Sequence, residues 1–257
     1  MIITTAGRVN SQLITRAKNI ANTYNIRFME RSGLSINALR NKYKEDVIIV
    51  EKGRLTAIPD NSDNKLFFHP NLAMIRAKRM LRNETDPFIE TAQLKEGMSM
   101  LDCTLGLASD SIIASLAVGS AGSVSGIEGS SLIYLLAKEG LATFSSGIQR
   151  FDQAMRRINV IKAEHYAYLR NAGTNSVDVV YFDPMFSTEI NTSDGINSIR
   201  TRTVKNTLNI NVIEEASRVA RERIVLKDHW KSERFNELGF VQYKRKTALF
   251  HYGVLEV

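Results

Sequence analysis

Cysteine is nearly absent: Cys103 is the single one among 257 residues, which excludes an internal disulfide. It reads as a small apolar packing residue rather than a nucleophile. The four scattered histidines add no ligand cluster, so the expectation for metal is none. Long apolar runs are missing too. No stretch approaches the roughly 18 residues needed to span a bilayer, and the first residues lack the charged, apolar and small-residue order of a secretory signal. The expectation is a cytoplasmic protein with no membrane partner. There is no internal repeat or low-complexity tract, and nothing in the chain specifies an oligomeric state.

Negative charge is in the minority. Lys and Arg number 34 against 27 Asp and Glu, for a net charge of +7 that points toward a polyanion without saying which. Arg8, Arg16, Lys18, Arg27, Arg31, Arg40, Lys42 and Lys44 crowd the N-terminal segment. A second cluster, Arg76, Lys78, Arg79 and Arg82, falls on a predicted helix from Leu72 to Arg82. With Leu72 and Ile75 turned inward, Arg76, Arg79 and Arg82 line one outer face. That face reads either as solvated surface or as an RNA-binding track that follows phosphates.

What the chain has in full is a set of strand ends carrying acids. The run Val177 to Phe182 reads as a buried strand that delivers Asp183, Pro184, Met185 and Phe186. An acid and a backbone carbonyl there could accept hydrogen bonds from a planar amine, and the ring of Phe186 could stack on it. Upstream, Met98 to Asp102 reads as a strand, Gly106 as a tight turn, and Ser111 to Val118 as a helix that Ser109 or Asp110 could cap. Two of the three glycines of a dinucleotide fingerprint are missing from that turn. An acid at Asp102 suits a positively charged ligand such as S-adenosylmethionine better than a pyrophosphate. The strand Ser123 to Ile127 ends in Glu128 and Gly129, at the spacing of a ribose-binding acid, although Glu128 could instead decorate a helix N-terminus. An edge strand, Ile158 to Lys162, leads to Glu164 and His165, where an adenine is expected.

These four strand ends resemble the class I S-adenosylmethionine-dependent methyltransferases, and within them the bacterial ribosomal RNA guanine-N2 methyltransferase family of the RsmJ (YhiQ) type. The motifs are Leu101 to Asp110, Ile127-Glu128, Ile161 to His165, and Tyr181 to Phe186. The resemblance implies cofactor contacts from Ser109, Asp110, Glu128, Gly129, Glu164, His165 and Asp183, with Asp102 and Gly106 shaping the pocket. Asp183, Pro184 and Phe186 become the catalytic group. Ala108 stands where that family has a second glycine, which ordinary backbone angles would tolerate. Beyond Phe186 the chain departs from the family pattern.

The expected architecture is an α/β fold: a Rossmann-like class I methyltransferase sheet over residues 91–257, and a small basic α+β domain with a bridging helix over residues 1–90. The smaller part holds a helix from Ser11 to Tyr24 and a hairpin of Val47 to Val50 with Leu55 to Ile58. Asp86-Pro87 reads as a breaker, and Ser187 to Thr203 as a lid over the substrate. A helix near Leu208 to Arg221, a strand Arg223 to Leu226 and a terminal strand pair complete the sheet. The implied function is methyl transfer to an exocyclic amino group, most of all guanine N2 of ribosomal RNA or a ribosomal particle. The alternatives are adenine of DNA, a glutamine of protein, or a non-catalytic RNA-binding module that keeps the fold.

Overall fold

Three short runs, β1 (Ile2–Thr5), β3 (Val47–Val50) and β4 (Leu55–Ile58), are buried at every position, the mark of strands covered on both faces. The computed structural model describes residues 1–7, 10–184 and 208–257. These fall into two compact units. The first comprises Met1–His69 with Leu135–Phe144, and the second begins at Pro70–Tyr134 and takes in the rest of the described chain from Ser145.

The first unit is built on a five-stranded sheet in the order β2-β1-β3-β4-β5, with β2 at Arg27–Phe28 and β5 at Leu66–Phe67. Helix α1 (Ser11–Thr23) buries Leu13, Ala17, Ile20 and Ala21, a spacing that returns to one helical face, and Asn10 caps it by accepting from Leu13 N at 2.8 Å. The expected hairpin is there: β3 and β4 pair antiparallel from Val47↔Ile58 to Val50↔Leu55. Helix α2 (Ile36–Tyr43) adds Leu39 to a core of Ile2, Val47, Ile49 and Ile58.

In the second unit, seven strands run in the order β11-β12-β10-β9-β6-β7-β8. The parallel members are β6 (Ser99–Asp102), β7 (Ser123–Glu128), β8 (Asn159–Lys162), β9 (Val177–Phe182) and β10 (Ala220–His229). Strand β12 (Phe250–Glu256) joins β10 antiparallel, and β11 (Val241–Tyr243) joins β12 the same way. Expected Ile158 to Lys162 is thus the sheet's edge, whereas expected Arg223 to Leu226 is the middle of a longer strand.

Alternation along the strands divides the sheet's two faces. Leu101, Val180, Phe182, Ile224 and Leu226 pack with Leu169 of α8 (His165–Asn171) and with Val212, Ile213 and Ala216 of α9 (Ile210–Val219). The intervening residues look the other way: the ring of Tyr181 meets Phe88 of α4 (Pro87–Ala92) with centroids 4.6 Å apart. Helix α5 (Ser109–Val118) follows β6, α6 (Ser131–Thr143) follows β7, and α7 (Gln149–Arg157) precedes β8. At Gly126 a Cβ would meet Leu105 Cδ1 at 2.3 Å, so this glycine lets the turn after β6 lie on β7.

Two sequence readings are corrected here. Asp86-Pro87 starts a helix rather than breaking one: Asp86 accepts from Phe88 N at 3.0 Å as the N-cap, and Pro87 takes the first position, where its missing N–H costs nothing. Helix α3 (Asn71–Met80) is rotated from the expected orientation. Ala73 and Ala77 are its buried residues, while Leu72 and Ile75 are 62% and 61% exposed.

Candidate active site

The strand order reverses between β6 and β9, and the carboxyl ends on either side of that reversal form the crevice in which open α/β sheets bind ligands. Asp102 closes β6 and Asp183 follows β9 at this edge. Asp102 is buried within the turn it starts. Its Oδ1 accepts from Thr104 N at 2.9 Å and its Oδ2 from the Ser111 hydroxyl at 2.6 Å. Thr104 ties the two strand ends together, its Oγ1 accepting from Asp183 N at 2.6 Å.

Asp183 does not stand alone. Its Oδ2 lies 2.7 Å from Lys227 Nζ, the ammonium of β10, whose neighbour Leu226 is in register with Phe182. The same ammonium lies 3.0 Å from Asp110 Oδ2, which also accepts from the Tyr181 hydroxyl at 2.9 Å. Asp110 Oδ1 accepts from Arg76 Nη1 at 2.5 Å, and Arg76 forks onto both oxygens of Asp86 at 2.8 Å. Asp183 and Asp110 therefore share one lysine, and Asp110 shares one arginine with Asp86, so three carboxylates are held by two cations.

Burial opposes the charge on Asp110, but Lys227 and Arg76 outweigh it and hold the carboxyl below the usual carboxylate range. For Lys227, burial is likewise overcome by Asp110 and Asp183, which keep the ammonium charged. Burial raises Asp183, and Lys227 resists that rise. With its side chain 28% exposed, Asp183 still presents acceptor capacity to a ligand. Burial pushes Asp102 up to about 7 against the hydrogen bonds from Ser111 and Thr104. The folded protein thus binds a proton on Asp102 that the unfolded chain releases near 3.8. Stability from this carboxyl is full below that value and is lost as pH rises through about 7. Replacing Asp102 by Asn should flatten the pH dependence of the denaturant midpoint between those limits; a slope equal to the parent's would assign the proton elsewhere.

Glu128 does more than decorate a helix. Its Oε2 accepts from Gly106 N at 3.1 Å and its Oε1 from Ser130 N at 2.7 Å, so it braces the turns after β6 and after β7. Burial raises its carboxyl. Gly129 offers its carbonyl to the Lys162 ammonium. Glu164 caps α8, accepting from Tyr166 N at 2.8 Å and Ala167 N at 2.7 Å. His165, next along, sits edge-on to Phe182 with its Nε2 buried and without a hydrogen-bond partner among the described residues, and burial pushes its imidazole toward the neutral form.

Other expectations need revision. Neither Ser109 nor Asp110 caps α5: the N-cap is Ala108, which makes no side-chain cap bond. Ala108 also departs from ordinary backbone angles, with φ 64° and ψ 24°. The left-handed conformation costs a residue with a Cβ about 1–2 kcal/mol, so Ala108→Gly should raise stability by about 1 kcal/mol. Chemical denaturation checks this, and a less stable variant would show that the Ala108 methyl packs better than its backbone sits. Arg76 cannot serve an RNA-binding track, because its guanidinium is turned inward onto Asp86 and Asp110. Arg79 and Arg82 do face outward, with Arg79 on Glu84 at 2.7 Å. Phe186, and the stretch read as a lid, lie outside the described residues.

Lys227 is the member of the site that sequence reading missed. Its signal was a lysine directly after the apolar run Ile224 to Leu226, on the face opposite Leu226.

A strand-switch crevice, a turn with one glycine and acids at successive strand ends define a Rossmann-like methyltransferase. Residues 35–250 match the family model described as "Putative SAM-dependent methyltransferase", and the chain belongs to that family. It is 46% identical over 255 residues to the uncharacterized protein YpiP of Bacillus subtilis (strain 168), covering 99% of each chain. Among solved structures it is similar to the SAM-dependent methyltransferase NGO1261 of Neisseria gonorrhoeae. That likeness has a TM-score of 0.65 at 15% identity and covers 100% of this chain and 96% of the other. The cofactor is S-adenosylmethionine, and the residues present fit it. A Cβ on Gly106 would meet no atom nearer than Thr104 O at 3.9 Å, which leaves room beside the turn, and two acids, Asp102 and Glu128, accept hydrogen bonds from its backbone. Among the described residues no cluster could hold a metal ion, and no helix is long and apolar enough to cross a membrane.

Proposed function

We propose that this methyltransferase modifies an exocyclic amino group of a nucleic-acid base, guanine N2 of ribosomal RNA being the acceptor its chemistry suits best. The observation that carries the reading is Asp183-Pro184 at the end of β9, with the Asp183 carboxylate fixed by Lys227 at 2.7 Å. S-adenosylmethionine supplies an electrophilic methyl group on a sulfonium. An aryl amine is a poor nucleophile because its lone pair is delocalised into the ring. Asp183 and the Pro184 carbonyl accept its two N–H bonds and so favour a pyramidal nitrogen whose lone pair points at the methyl carbon. The cofactor, once bound, would give up its methyl and leave as the neutral thioether, and Asp183 would be the base that takes the proton lost by the amine. Stacking of a base turned out of its helix on an aromatic ring, the role expected of Phe186, is worth about 1–3 kcal/mol. Fixing the reactants in this geometry lowers the barrier by several kcal/mol more.

Glu128, Gly129, Glu164 and His165 form the nucleoside side of the pocket in this reading, with Ser109 and Gly106 at the turn. Asp110 acts through Lys227. Glu128→Ala should weaken S-adenosylmethionine binding about tenfold and cost the fold about 2 kcal/mol, since two backbone N–H groups lose their acceptor. Calorimetry that finds parental affinity in the folded variant would remove Glu128 from the pocket.

The reading is tested by incubating the protein with labelled S-adenosylmethionine and cell extract, then treating with ribonuclease or protease. Label lost to ribonuclease supports it; label lost only to protease places the acceptor on protein. Comparing ribosomal RNA nucleosides from a strain lacking the protein with its parent identifies the methylated position.

A further inference from the structure

Strand β11 runs antiparallel to β12, which runs antiparallel to β10, so β10 and β11 leave the sheet at the same edge. That is the edge where Asp183 stands. The register sets Tyr243 across from Tyr252, and Tyr252 across from Lys227, which holds Asp183. A single cross-strand row therefore leads from the catalytic acid to the rim of the sheet.

The rim is basic and aromatic. Trp230, just past β10, is 45% exposed and Tyr243 is 49% exposed. Lys231, Lys244 and Lys246 are exposed, and none of them forms an ion pair among the described residues; the Lys231 ammonium instead lies 4.8 Å from the centroid of the Trp230 ring, covering one of its faces. Nor is this a loose tail. Gln242 Nε2 donates to the Trp230 carbonyl at 2.9 Å, Trp230 N to the Leu249 carbonyl at 3.2 Å, and His251 Nε2 lies 3.1 Å from Arg245 N. The ring of Phe250 is approached by both Lys227 and Arg245, their cationic groups 4.9 and 5.4 Å from its centroid.

We infer that this C-terminal hairpin is where a single-stranded segment of the RNA substrate docks beside the target nucleotide. Lys231, Lys244 and Lys246 track phosphates, and Trp230 stacks on a neighbouring base. Cations without an acid partner call for a polyanion, and an exposed indole with a lysine on one face and a hydrogen-bonded backbone offers its other face to a base. The inference rests on the proposed RNA reading and moves the binding surface away from α3, where Arg76 is turned inward and Arg79 already has an acid.

Trp230 is the chain's single tryptophan, so its emission reports on this surface alone. The probe is a mixed-sequence single-stranded RNA of about 12 nucleotides, within the site sizes that such grooves cover. Titration should quench Trp230 emission in parallel with anisotropy of the labelled RNA. Trp230→Ala should weaken RNA binding about tenfold. Lys231→Gln/Lys244→Gln/Lys246→Gln should flatten the slope of log affinity against log salt by about 2. Both variants should keep parental S-adenosylmethionine affinity, which establishes that they fold. Lys78→Gln/Arg79→Gln/Arg82→Gln, on α3 and the turn that follows it, should change the slope less. RNA that binds the parent without quenching Trp230, with a slope that the hairpin variant leaves unchanged, overturns the inference while the RNA reading stands. A parent that binds no RNA overturns both.

Discussion

Lys227→Met should destabilise the folded protein by about 3–5 kcal/mol and lower its melting temperature by roughly 10 °C. The lysine is the shared partner of Asp110 and Asp183, and its ammonium lies 3.0 and 2.7 Å from their oxygens. Removing it strands Asp183 and leaves Asp110 with Arg76 and Tyr181. Methionine keeps the chain length, so the loss is one of charge rather than volume. A second substitution, Asp110→Asn, should recover part of the deficit, because the two side chains meet and their effects cannot add. Calorimetry on the four proteins of this cycle measures the coupling. A Lys227→Met variant within 1 kcal/mol of the parent would mean that the pair of acids is stabilised by other neighbours.

Asp183→Asn carries the largest expected effect on chemistry. The amide keeps the shape of the carboxylate, so Thr104 Oγ1 still accepts from the residue 183 N–H at the end of β9. It removes the charged acceptor and the proton acceptor together. The single-turnover rate, with enzyme in excess and cofactor saturating, should fall by about 100-fold or more, in line with loss of general-base assistance. Cofactor affinity should change far less. Parental turnover in the Asn variant would refute the amine-orienting role, whatever the fate of Phe186. Lys227 sharpens this test, since an amide beside it also gives up a charge-assisted hydrogen bond and some stability should be lost with the rate.

Local patterns made part of this site legible. Apolar runs ending in Asp102, Glu128 and Asp183 announced three carboxyl ends of one sheet, and a lone glycine with a following helix announced the turn between them. The cofactor followed from those residues. Lys227 could not be found the same way. Its role depends on β10 lying beside β9 in a register that puts Leu226 opposite Phe182, and no window of sequence contains both strands. Helix α3 shows the opposite failure. Hydrophobicity assigned Leu72 and Ile75 to the interior, yet Asp86 and Asp110 draw the Arg76 guanidinium inward, and small Ala73 and Ala77 fill that face. A buried acid elsewhere in the chain decided the orientation. Ala108 failed for a third reason: a backbone angle leaves no trace in residue type when the residue is not glycine.

The Asp110–Lys227 pair joins residues 117 positions apart, and its formation waits on the last parallel strand of the sheet. During synthesis, β6, α5 and β9 emerge well before β10, so a nascent chain has Arg76 for Asp110 but nothing for Asp183. Long-range strand pairing of this kind is slow, and the open edge of β9 is an aggregation hazard until β10 arrives. A chain that ends before β10 therefore has neither the ammonium that pairs with Asp183 nor the strand that covers β9.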